Sequence, residues 1–89
     1  MAIRNFRCAK TESLYRGKRV ARWASFERVA LRKLTQLAVS FCLDDLRVPP
    51  GNRLEQLQGD RKGQHSIRIN DQWRICFVWA DDGPRDVKN

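Results

Sequence analysis

Two arginines, Arg68 and Arg74, sit inside a run of residues that otherwise reads as sheet. Ile67 and Ile69 alternate with Ser66, Arg68 and Asn70, and Trp73, Ile75, Phe77 and Trp79 alternate with Arg74, Cys76 and Val78. This is the period-two pattern of half-buried strands. A guanidinium is costly to hold beside heavy aromatics unless an anion meets it, and its planar fork matches a phosphate. Turn length decides whether the two arginines act together. A three-residue connection of Asp71, Gln72 and Trp73 sets Asn70 opposite Arg74 and Arg68 opposite Cys76, so that both arginines share one sheet face. A two-residue turn would swing Arg74 opposite Ile69 onto the apolar face, which a charge resists. An odd-length connection is therefore expected. His65, the only histidine, titrates in a range that suits a general base, but it lies out of phase with Arg68, beside Ile67. Arg61 and Lys62, in the glycine-punctuated basic loop 59–63, are candidates to grip a phosphate backbone, with Asn70 beside them. The pattern points to a polyphosphate ligand, RNA or DNA.

Composition narrows the setting. A chain of 89 residues with 42% hydrophobic content is expected to form one domain, residues 1–89, burying about 60–65% of the surface its unfolded chain exposes. No apolar run approaches the roughly 20 residues of a membrane span, and the first residues lack the apolar stretch of a secretion signal. Cys8, Cys42 and Cys76 are odd in number and widely separated, without metal-ligand spacing. They read as reduced thiols of a cytoplasmic protein, serving as small core residues. The net charge of +8 is uneven: residues 1–33 carry ten Lys/Arg against Glu12 and Glu27, and residues 34–89 balance. Such asymmetry favours a polyanionic or acidic partner. Arg28 and Arg32, together with Lys33, are expected on the solvent side of a helix, free to meet it.

The elements that must carry these side chains follow from punctuation and period. Residues 2–6 are expected as an edge strand. Thr11 is a plausible N-cap for a short helix to about Arg16, with Gly17 just past its end. Apolar positions Trp23, Phe26, Ala30, Leu34, Leu37, Ala38 and Phe41 recur at three- and four-residue steps, predicting one amphipathic helix over 23–41. Asp44-Asp45 and Val48-Pro49-Pro50-Gly51-Asn52 end regular structure, and residues 53–57 extend toward the basic loop. Trp73 and Trp79, at strand spacing, are assigned to the core rather than to base stacking. Asp81-Asp82-Gly83-Pro84 is a turn, leaving residues 86–89 for one more short strand.

Residues 49–77, Pro-Pro-Gly-Asn-Arg-Leu-Glu-Gln-Leu-Gln-Gly-Asp-Arg-Lys-Gly-Gln-His-Ser-Ile-Arg-Ile-Asn-Asp-Gln-Trp-Arg-Ile-Cys-Phe, resemble the signature of HigB-type toxins in the RelE/ParE superfamily. Trp23 and the run Val29-Ala30-Leu31-Arg32-Lys33-Leu34 add to the likeness. The resemblance implies an α+β fold, a curved antiparallel sheet packed against two N-terminal helices in the order β-α-α-β-β-β. It implies a ribosome-dependent mRNA endonuclease, partnered by a helix-turn-helix antitoxin, with Arg68 and Arg74 at the superfamily's cationic catalytic positions. Cleavage of that kind turns the ribose 2′-OH on the adjacent phosphate and needs a base, charge stabilisation and an acid. His65 is the candidate base, and Arg61, Lys62, Asn70, Arg28 and Arg32 are the candidate RNA contacts. With neither a carboxylate pair nor a metal-ligand cluster evident in the sequence, no metal or other cofactor is expected. Two other readings stand beside this one: a ParE-like gyrase poison, and a non-catalytic RNA- or antitoxin-binding variant. The second arises because family chains continue into a Tyr-His-ending strand that assists cleavage, and no such residues follow Val87 here. The expectation is a weakened enzyme whose strand 73–79 has a poorly covered edge.

Overall fold

The alternation over residues 64–80 becomes the centre of a four-stranded antiparallel sheet. The structure, a computed structural model, describes residues 3–61 and 63–89. Strand β2 (Gln64–Arg68) pairs with β3 (Arg74–Ala80), short β1 (Glu55–Gln56) flanks β2, and β4 (Gly83–Lys88) flanks β3. Helices α1 (Ala9–Tyr15) and α2 (Glu27–Val39) come first in the chain. Their Leu14, Ala30, Leu34 and Leu37 share one core with Ile67, Ile75, Phe77 and Val87 of the strands. The fold is therefore α+β, helices on one face of an antiparallel sheet, as the resemblance implies.

The pleat decides which residues meet the helices. Cross-strand partners His65↔Phe77 and Ile67↔Ile75 project to one side, and Ser66↔Cys76 and Arg68↔Arg74 to the other. Ile67, Ile75 and Phe77 are completely buried, and each contributes roughly 1.5–3 kcal/mol on leaving water. Trp73 and Trp79 pack against the same cluster, so their assignment to the core holds. Of the three free thiols, Cys76 is buried, Cys8 half-buried and Cys42 exposed. Only Cys76 fits the expectation of a small core residue.

Several local elements differ from the sequence expectations. Cys8, not Thr11, caps α1. Thr11 is buried one turn in, where its hydroxyl accepts the Asn89 N–H at 3.1 Å. The other end of α1 is as expected: Gly17 has φ +89°, its N–H donates to Leu14 O, and the Lys18 N–H donates to Ser13 O. That is the double carbonyl closure of a left-handed C-terminal cap. The helix expected over 23–41 is shorter. It begins as a 3-10 turn, Ala21–Phe26, with Trp23 out of helical backbone, because Trp23 and Phe26 both lay their rings on Trp73, centroids 5.9 and 5.7 Å apart. It stops at Val39, where the Asp45 carboxylate takes the N–H groups of Phe41 and Cys42, and Phe41 is left exposed. Arg28 and Arg32 are exposed as expected, but Lys33 turns inward and is buried.

The first residues do not form a ladder strand. Phe6 makes a single parallel bridge to Val87, flanked by Arg4 N–H to Pro84 O at 2.8 Å and Arg7 N–H to Val87 O at 2.9 Å. Ala2 lies outside the described residues. β4 in turn is longer than the strand expected over 86–89. It runs from Gly83 and contains a bulge: Val78 pairs with Arg85 and Cys76 with Lys88. Asp86 takes φ 52° there, and its amide, turned out of the ladder, donates to Asn5 Oδ1 at 2.6 Å. The edge of β3 expected to be poorly covered is therefore paired, and β4 is lined by residues 3–7.

The cap of α1 is open to test. A methyl group at Gly17 would meet nothing within 4 Å, so Gly17→Ala should cost only the strain of its positive φ, about 1 kcal/mol. That corresponds to roughly 4–8 °C in thermal unfolding followed by circular dichroism. Gly51→Ala, equally unobstructed but without a positive φ, should lower the midpoint by less than half as much.

Candidate functional site

The turn between β2 and β3 is five residues long, 69–73. Asn70 Oδ1 builds it by accepting the N–H groups of Gln72 and Trp73, both at 2.9 Å, while the Ile69 and Asn70 N–H groups converge on Trp73 O. The register is shifted by two residues from the three-residue expectation: Arg68 faces Arg74 directly, and Ser66 faces Cys76. The connection keeps an odd length, so the arginines do share the face opposite the core. The shift places them side by side rather than diagonally.

Like charges opposed across two strands repel, and the site is built to hold them. Arg74 Nε donates to Ser66 Oγ at 2.8 Å, and its Nη2 donates to Arg53 O at 2.6 Å, with Glu55 Oε2 at 3.9 Å. Arg68 Nε donates to Asn70 O at 3.2 Å, and its Nη2 pairs with the Asp71 carboxylate. The two arginine side chains are 31% and 28% exposed, with the Arg74 stem lying over a fully buried Ser66. Together with Arg53, Glu55, Asn70, Asp71 and Gln72 they line an open depression of about 450 Å³. Arg74 has no bond at Nη1 among the described residues. Asp71, the partner of Arg68, is almost fully exposed and can yield to a stronger anion, since exposed pairs contribute little.

His65 is not part of this face. Its ring stacks on Phe77, centroids 6.2 Å apart and planes 22° apart, on the core side of β2. Its Nδ1 is buried without a partner among the described residues, and burial holds its pKa below the ordinary histidine range. The pleat thus separates His65 from Arg68 and Arg74. Asn70 lines the depression, although its Oδ1 is committed to the turn. Arg28 and Arg32 belong to α2 and not to this depression, and Lys62 and the side chain of Arg61 lie outside the described residues. Four lining residues were not named as site residues from sequence: Asp71 and Gln72, read only as turn, and Arg53 and Glu55. Glu55 joins the arginine face because it pairs with Ser66, a register no local pattern signals. Arg53 adopts a left-handed conformation, φ 46°, for which the preceding Pro49-Pro50-Gly51-Asn52 turn is the only hint.

Two helices packed on one face of a four-stranded antiparallel sheet are consistent with the RelE-like fold. The chain belongs to the HigB-like toxin family, the RelE-like toxins of the type II toxin–antitoxin system HigB, whose profile matches residues 5–87. It is 48% identical over 58 residues to Toxin HigB-1 of Vibrio cholerae serotype O1, covering 65% of this chain and 61% of that protein. It is also 36% identical over 55 residues to an uncharacterized protein of Haemophilus influenzae, covering 62% of this chain and 54% of the relative. In both cases the match spans less than two thirds of the relative's length.

The half-buried histidine gives the core side of the sheet a pH signature. Unfolded, His65 takes up a proton near pH 6.5; folded, it resists until lower pH, so the unfolded state binds more protons in between. Its contribution is intact above about pH 7 and declines as pH falls through 6.5 toward the depressed folded value. Urea midpoints measured from pH 8 to pH 5 should decrease over that interval, and His65→Gln should flatten the decrease.

Proposed function

We propose that the chain is the toxin of a type II toxin–antitoxin pair and cleaves mRNA on the ribosome, with Arg68 and Arg74 as the phosphate-binding and transition-state-stabilising pair. The observation that carries this reading is the direct Arg68↔Arg74 opposition over an open depression. Two guanidinium groups held against their mutual repulsion make a ready site for a phosphodiester, whose charge rises as the phosphorane forms. Their forks supply several fixed donors at once, which a lysine pair would not.

The chemistry is an internal transfer. The ribose 2′-oxygen attacks the neighbouring phosphorus, the bond from phosphorus to the 5′-oxygen breaks, the departing 5′-oxygen takes a proton from solvent, and a 2′,3′-cyclic phosphate and a 5′-hydroxyl result. Glu55, the carboxylate on the arginine face nearest Arg74, is the group able to take the 2′-OH proton, the role that the placement of His65 argues against. Arg74 is held from below by Ser66 and Arg53 and presents its free edge to the phosphate. Arg68 exchanges Asp71 for it. No cofactor enters this scheme. The cationic first third of the chain, with Arg28 and Arg32 exposed on α2, serves binding to ribosomal RNA, and a helix-turn-helix antitoxin is the partner that silences the pair.

Primer extension on translated mRNA after expression tests the chemistry. Arg68→Ala and Arg74→Ala should each lower cleavage by about 10²–10³, the usual cost of one such electrostatic contact, with the circular-dichroism spectrum retained. Wild-type cleavage by both variants would dismiss the assignment, and gyrase-linked DNA breaks in place of mRNA cuts would mark a different poison. Co-sedimentation tests the surface: ribosome association should weaken steeply with rising salt. Arg28→Glu/Arg32→Glu should weaken it further without changing the cleavage rate of RNA already bound.

A further inference from the structure

Behind the arginine face lies a polar cluster that no part of the proposed chemistry uses. Lys33 of α2 is only 8% exposed, and its ammonium donates to Asn52 Oδ1. No carboxylate pairs with it among the described residues. Asn52 is completely buried, yet its amide is fully engaged. Its Nδ2 donates to Leu46 O and to Gln36 Oε1, both at 3.0 Å, and Gln36 Nε2 donates to Val48 O at 2.5 Å. Burying an ammonium against a neutral amide is costly before its hydrogen bonds are counted, and both desolvation and neighbouring Arg32 hold the Lys33 pKa below its ordinary value. A buried charge held this way is weak evidence for stability, so the arrangement calls for a reason other than stability.

Geometry supplies one. Asn52 closes the 3-10 turn Pro50–Asn52, and the residue that follows is Arg53 in its left-handed conformation, φ 46°, ψ 57°. For a residue with a Cβ this conformation is strained, and it persists only where the surroundings over-determine it. Here they do: the Arg53 N–H is taken by Pro50 O at 3.1 Å, and the side chain one residue earlier is bolted to α2. The outcome is that the Arg53 carbonyl meets Arg74 Nη2 at 2.6 Å. We propose that Lys33 and Asn52 are a positioning pair: by fixing the loop of residues 46–53 to α2, they aim the Arg53 carbonyl that orients Arg74. The functional consequence rests on Arg74 acting on phosphate; the orientation itself does not.

Proton exchange at the Arg74 Nη2 group, the one that meets the Arg53 carbonyl, followed by nitrogen-15 NMR on the full chain, reads the orientation without any activity. In Lys33→Met that exchange should accelerate about tenfold while the backbone amides of Ile67 and Ile75 stay protected, a local opening rather than unfolding. The double variant Lys33→Met/Asn52→Leu removes both partners of the bond, loses some stability because Leu46 O and Gln36 Oε1 lose their donor, and should show the same acceleration in the folded protein. Unchanged Arg74 protection in the double variant would overturn the proposal. Cleavage of ribosome-bound mRNA supplies the second reading. Lys33→Met should slow it about tenfold, as small misplacements of a catalytic group do, but should slow it no further when Arg74→Ala is already present. Multiplying losses would mean that Lys33 acts elsewhere and would likewise overturn it. If Arg74→Ala alone leaves cleavage intact, the assignment of Arg74 to phosphate fails while the exchange result still decides the positioning role.

Discussion

Everything in this fold depends on the pleat of the β2–β3 hairpin. Successive residues of an extended strand face opposite ways, so one register assigns Ile67, Ile75 and Phe77 to the helices and Ser66, Arg68 and Arg74 to the open side. A slip by one residue would exchange the two sets, carrying guanidinium groups into the core and the isoleucines into water. The core thereby enforces the site: the burial of three large side chains compels two charges to stand together. The Asn70 side chain, closing the turn through two amides, makes that register the comfortable one.

Holding two arginines abreast is a form of pre-organisation. Each is tied at its Nε and at one terminal nitrogen, Arg74 by Ser66 and Arg53 and Arg68 by Asn70 and Asp71. A ligand therefore finds side chains that have already surrendered their rotamer freedom, an ordering cost otherwise charged to binding. The two halves differ in firmness. The anchors of Arg74 are buried hydroxyl and backbone groups, whereas Asp71 beside Arg68 is open to solvent. Arg74 behaves as a fixed wall, and Arg68 as the half that can change partners.

While the α+β class came from the family resemblance, period and punctuation in the chain carried the hairpin, the common face of Arg68 and Arg74 and the left-handed cap at Gly17. These are local signals, each read within a few residues. What escaped depends on distant partners. Thr11 looks like a helix cap until Asn89 claims its hydroxyl. Lys33 looks like a solvent-facing member of an amphipathic helix until the turn at Asn52 folds over it. Trp23 keeps the helical period yet leaves the helix, because Trp73 draws the aromatic rings together. Glu55 enters the site through a two-residue strand whose register has no periodic signal at all. The spacing of His65 flagged its parity conflict with Arg68, and the strand alternation resolves it against a shared site.

The parallel seam between residues 3–7 and β4 bears on the order in which the molecule can be finished. Asn5 holds the amide of Asp86, 81 positions away, so residues 3–7 have no seat until β4 exists. Synthesis proceeds from the N-terminus, at about 5–20 residues per second, and closing such a long loop is entropically the most demanding step. During that interval the bulged strand and the residues that line it must wait for one another, and the sheet beside the arginines stays unsealed. A nascent chain can form its helices and its central hairpin before residues 83–88 are available, but the sheet is complete only once they have joined it.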